Sequence, residues 1–187
     1  MNYLITKYSL INQKVRLCFP CALRMIFQSH DLDNLKDEEI AKYLDFRLLK
    51  ENITEDLNFA IITKEDRFQG CNISHLGNQL FDQLNLPFYQ YSIFNHFDEL
   101  NLYFLSDCFK LDENTHLIIG VNYEKLFLIP ENSSSHVILV EDINYQDRIF
   151  EVIIPEKETF RSSLTFESIK NSFLKAWIII RKGDTIV

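Results

Sequence analysis

The chain is poor in the residues that interrupt or cross-link a fold. Its 187 residues include four glycines (Gly70, Gly77, Gly120 and Gly183), four prolines and four cysteines. Glycines this scattered form neither G-x-x-x-x-G-K-[ST] nor G-x-G-x-x-G, so a nucleotide site has no support. No Pro/Gly-rich linker, repeat or low-complexity tract divides the sequence, and one continuous domain over residues 1–187 is expected. Cys18, Cys21, Cys71 and Cys108 are too few and too irregular for a disulfide framework, which leaves reduced thiols as the expectation. Positive charge is also short. With 19 Lys+Arg against 27 Asp+Glu the formal net charge is −8, the wrong sign for a general nucleic-acid binder. No apolar run approaches the roughly 20 residues that cross a bilayer, and the opening MNYLITKYSLINQKVRL is broken too often by polar residues to be a signal-peptide core. A cytoplasmic protein with no membrane and no nucleic-acid partner is the expectation.

Core-forming material is plentiful, with 16 Phe and 8 Tyr. The first half has helical spacing. Pro20 suits a helix start, followed by Leu23, Met25, Ile26 and Phe27 and a stop near residues 29–31; further helices fit 36–44 and 74–84, and a fourth fits 97–109. After Asn114 the texture changes. HLIIGV (116–121), HVILVE (136–141) and RIFEVII (148–154) read as strands, 163–176 as a helix and WIIIR (177–181) as a last strand. Helices followed by mostly antiparallel strands predict an α+β fold, with the helical N-terminal half packed against the sheet half.

Cys18 precedes Pro20 by two residues, at the mouth of the first helix, where unpaired N–H groups and the helix dipole favour a thiolate. A buried structural cysteine is the plain alternative. His136 opens an apolar strand directly after the polar run 131–135, a position from which an imidazole can face a cleft. Together they form a candidate nucleophile and base. Cys18-x-x-Cys21 with Cys71-x-x-x-His75 would alternatively make a Cys₃His zinc site, but Cys21 is accounted for as a small core residue and His75 as a solvated helix start, so no metal and no cofactor is expected. His30, His96 and His116 read as surface or loop histidines.

Cys18-Phe19-Pro20-Cys21-Ala22-Leu23 resembles the nucleophile motif of papain-like bacterial cysteine peptidases, especially the double-glycine-leader peptidases, and is similar to the N-terminal family of the butirosin biosynthesis acyltransferase. Residues 117–122 and 136–142 resemble that group's late strand pair, the second strand opening on the catalytic histidine, and 166–180 resembles its closing helix and strand. The resemblance implies a papain-like fold and a Cys18–His136 dyad acting through a thioester on a peptide or acyl-thioester substrate, the latter carried by a carrier protein, with hydrolysis or acyl transfer as the outcome. It also implies an oxyanion-hole amide ahead of the cysteine; Asn12 and Gln13 both qualify, and Gln13 is favoured. Gln13 precedes Cys18 by five residues and Asn12 by six, where the family's glutamine precedes the cysteine by six. The sequence departs from the pattern in two further places. Phe19 stands where the peptidases have Gly, and Ile154 stands before Pro155 where the residue orienting the histidine is expected, with Asp142, Asn144, Glu151 and Glu156 as nearby substitutes. These departures define the alternative, a degenerate papain-like domain that binds a peptide or protein partner.

Overall fold

The computed structural model describes residues 6–13, 16–32, 34–49, 58–63, 70–93, 97–98, 112–129 and 135–182. Two helices, α1 (Cys18–Gln28) and α2 (Asp37–Tyr43), are followed by short strands β1 (Arg47–Leu49) and β2 (Ile61–Thr63), helix α3 (Ile73–Gln83) and strand β3 (Phe88–Ile93). Then come β4 (Thr115–Asn122), α4 (Tyr123–Phe127), β5 (Ser135–Asn144), β6 (Ile149–Ile154), β7 (Phe160–Thr165), α5 (Phe166–Ser172) and β8 (Phe173–Arg181). Six strands form one antiparallel sheet in the order β3-β8-β4-β5-β6-β7, while β1 and β2 pair in parallel. The fold is α+β.

Both faces of the central strands are covered, which is why β4 and β5 read as unbroken apolar runs rather than as alternation. On one face Ile118, Val137, Leu139, Ile153, Trp177 and Ile179 pack against α1 and α3. On the other, Leu117, Ile119, Ile138, Val140 and Ile178 meet Leu126 of α4 and Phe166 and Ile169 of α5. Fully burying one such side chain is worth about 1.5–3 kcal/mol, so these layers fix the sheet that carries His136. Arg24 of α1 and the buried Asp37 of α2, 3.5 Å apart, tie the helical layer together.

Several expectations need correction. The helix expected over 163–176 is instead the end of β7, the short α5 and the start of β8. Thr165 caps α5 by accepting from Ser168 N–H at 3.2 Å, and this local hydrogen bond starts the helix later than apolar spacing alone suggests. Residues 88–93 form a strand, alternating buried Phe88 and Gln90 with exposed Tyr89 and Tyr91; the first half of the chain therefore also supplies a sheet strand. His30 and His116 are buried, not on the surface. The helix expected over 97–109 falls, apart from 97–98, outside the described residues, as do His96 and Cys108. Among the described residues no helix is long and apolar enough to cross a membrane.

Gly77 is where α3 touches β3. A Cβ there would sit 2.2 Å from Oε1 of the buried Gln90, whose Nε2 donates to the Ile73 carbonyl at 3.0 Å and whose backbone N–H donates to Asn78 Oδ1 at 2.7 Å. Gly77→Ala should gain about 1 kcal/mol of helix propensity yet lose about 1–3 kcal/mol from overpacking. A net loss in urea unfolding is expected, and it should shrink when Gln90→Ala is added. A stabilised single variant would refute this close contact.

Candidate active site

The chain enters α1 through Arg16, held at φ 63, and the buried Leu17, which offers no side-chain cap. The first helical N–H groups are therefore free of a capping side chain. Cys18 is the first residue of α1, and the N–H groups of Cys18 and Phe19, with that of Val137 across on β5, are directed at its sulfur. Val137 follows His136, so the strand that brings the imidazole also brings a donor to the thiol. Phe19 does not crowd this side: it is buried and meets Trp177 edge-on at 5.3 Å.

His136 pairs with Val121 of β4 and is 9% exposed. Its ring accepts an edge-on contact with Tyr123 at 5.1 Å and hydrogen-bonds the Pro155 backbone, which leaves Nε2 without a hydrogen-bond partner. Among the described residues, Glu156 faces that nitrogen, with Oε1 at 3.7 Å. The acid facing the ring thus comes from the turn after β6, two residues past Ile154, which is itself buried at the strand end opposite Phe160. The other nearby acidic and amide side chains are engaged elsewhere: Asp142 accepts from Ile143 N–H, Asn144 bonds Asp147, and Glu151 accepts from Ser163.

Gln13 reaches the same group. Its backbone N–H donates to the Glu156 carbonyl at 2.9 Å, its Nε2 lies 3.5 Å from Glu156 Oε2, and its Oε1 is buried without a partner. Asn12 turns away, with Oδ1 accepting from Thr159 N–H at 3.1 Å. Tyr123 donates its hydroxyl to Glu156; burial and that carboxylate both raise the phenol. Glu156 is therefore the hub of the site. Tyr123 was not anticipated, although Asn122, which caps α4 by accepting from Lys125 N–H at 2.8 Å, marks the helix start that places it.

The resting charges run against a preformed thiolate. Burial pushes the Cys18 thiol up to about 11, helped by the negative charge of Glu156 and opposed by the surrounding N–H groups. Three N–H dipoles do not repay the loss of water around a sulfur anion, so the helix mouth alone does not ionise Cys18. Burial likewise lowers His136, against the raising effect of Glu156 and Pro155. At neutral pH Cys18 is a thiol and His136 a neutral imidazole held through the Pro155 carbonyl; its Nε2 then carries a lone pair, so Glu156 forms an ion pair with the ring only once the ring is protonated.

Cys21 and Cys71 are free thiols, as is Cys18. Among the described residues no three His, Cys, Asp or Glu side chains converge on a metal position; the side chain of His75 lies outside them. The chain matches no protein-family profile and no curated protein.

Proposed function

We propose that the protein is a papain-like cysteine-nucleophile acyl-transfer enzyme, acting on a peptide or carrier-bound acyl substrate in a cytoplasmic, bacterial setting. The observation that carries this reading is the gathering of Cys18, His136 and Gln13, from the start of α1, the start of β5 and the segment before α1, around Glu156.

The sulfur attacks an acyl carbonyl while its proton passes to the neutral His136 ring, so thiolate forms only as the new C–S bond does. The carbonyl oxygen becomes an oxyanion that accepts from Gln13 Nε2 and the Cys18 N–H. The Gln13–Glu156 contact, at 3.5 Å, is long enough to give way to that oxygen. Collapse expels the leaving group, which takes the proton from His136, and leaves a thioester. Water or an amine, deprotonated by the same ring, then releases the acyl group. The Pro155 carbonyl holds the ring through its other nitrogen, and Glu156 stabilises the imidazolium once it forms.

One observation favours the second reading, a degenerate domain of this fold that binds a peptide or protein: burial keeps the thiol protonated. Intact-mass measurement after incubation with aryl and peptidyl thioesters separates the two. The enzyme reading expects an acyl adduct on Cys18, absent in Cys18→Ala and discharged by water or added amine. No adduct from any donor, with Cys18 alkylated by iodoacetamide no faster than Cys71, would leave only the binding domain.

A further inference from the structure

At the opposite end of α1 from Cys18 lies a buried relay of polar side chains that the proposed chemistry does not use. Arg181 at the end of β8 reaches His30 Nδ1 at 3.1 Å, His30 Nε2 meets His116 Nε2 at 2.8 Å, and His116 Nδ1 meets the Tyr8 hydroxyl at 2.7 Å. A guanidinium only donates. His30 therefore accepts at Nδ1 and carries its proton on Nε2; His116 accepts that proton's hydrogen bond at Nε2 and carries its own proton on Nδ1, donating to Tyr8. Both rings are neutral, each in a single tautomer. A second proton on either ring would set two donors against each other, N–H against guanidinium at His30 or N–H against N–H between the rings.

The surroundings also resist protonation. His116 is fully buried, and burial, with the Lys7 charge and the adjoining His30 ring, lowers it to about 2. Burial and the cations Arg181 and Lys7 lower His30, opposed by Glu113 and Asp31. Lys7, over the Tyr8 ring, is anchored to the Asp112 and Thr115 carbonyls.

We propose that this relay is an acid-released latch: it clamps segment 6–13 to the sheet through Tyr8 at neutral pH and lets that segment lift when the histidines are protonated. The segment continues from Tyr8, whose carbonyl accepts from Arg161 at 2.6 Å, through Ile11, whose carbonyl accepts from Thr159 at 2.5 Å, to Gln13 on Glu156. Acidification would then withdraw the amide assigned to the oxyanion. That consequence rests on the proposed catalytic reading; the latch does not. A histidine whose folded value lies below its free value stabilises the closed form fully above about pH 6.5, and this contribution is lost as pH falls, about tenfold in the closing equilibrium per unit for each ring released.

Hydrogen exchange at the Gln13 amide, corrected for intrinsic rates, tests this without reference to activity. Between pH 7.5 and 5.5 protection should fall on the order of ten- to a hundredfold, with the β5 and β6 amides unchanged. His30→Gln/His116→Gln, neutral at both positions at every pH, should abolish that fall, and His116→Gln alone should leave only the share that His30 contributes. Imidazole ¹⁵N spectra of the wild type give a second readout that needs no variant. His30 protonated on Nε2 and His116 on Nδ1 at pH 7.5, both titrating together with the loss of Gln13 protection, is the expected result. Either ring titrating near its ordinary value while Gln13 stays protected, or protection independent of pH, would overturn the latch.

Discussion

His136→Ala is expected to slow acylation of Cys18 about a hundred- to ten-thousandfold, because it removes the base to which the proposed mechanism passes the thiol's proton as the sulfur attacks. Glu156→Gln should separate two quantities that fall together in the histidine variant. The negative charge of Glu156 helps to hold the thiol up at about 11, so its removal should let the sulfur ionise more readily and speed alkylation by iodoacetamide. The same substitution removes the carboxylate at 3.7 Å that stabilises the protonated His136 ring, so acylation by a thioester should slow. Faster alkylation with slower acylation identifies a carboxylate that serves the base at the expense of the nucleophile. A variant in which both rates rise would show that Glu156 obstructs the site and does not support it. Because burial lowers His136 below its ordinary value near 6.5, the base stays neutral and competent in mild acid. The acid limb of acylation in the wild type should therefore lie below about pH 6.5.

Alkaline pH should destabilise the protein steeply. Burial raises three thiols above the ordinary value of 9.0: Cys18 to about 11, Cys21 with further help from Asp37, and Cys71. A thiol that holds its proton more tightly when folded adds stability that is complete below its unfolded value and is lost as pH rises toward the folded one. Each such thiol is worth about 1.4 kcal/mol per pH unit in that window. Urea unfolding at pH 8, 9 and 10 should show stability falling by several kcal/mol between the last two points, before Tyr8, also raised by burial, contributes. Cys21 is fully buried with its sulfur donating to the Ile11 carbonyl at 3.2 Å. Cys21→Ala should be weaker at pH 8 by about 1 kcal/mol, yet lose about 1.4 kcal/mol less per pH unit above 9. Parallel curves for variant and wild type would mean that Cys21 ionises in the folded protein as easily as in the unfolded chain.

Local patterns in the sequence were sufficient for the α+β class, for α1 to α3 and for β4 to β6, because periodicity, Pro20 and the β-branched runs report on neighbours a few residues away. They also singled out Cys18 at a helix start and His136 at a strand start. The strand of residues 88–93 was legible too, in the alternation of Phe88 and Gln90 with Tyr89 and Tyr91, but lay between two stronger helical patterns. Tertiary structure alone decided which acid meets His136, since Asp142, Asn144, Glu151 and Glu156 are equivalent in sequence and only the turn after β6 points its carboxyl group at the ring. It alone placed His30 beside His116, residues from α1's far end and from β4. It also reversed the expected state of Cys18: a helix mouth is visible in one dimension, whereas desolvation depends on everything the fold stacks around the sulfur, and that is the larger effect here.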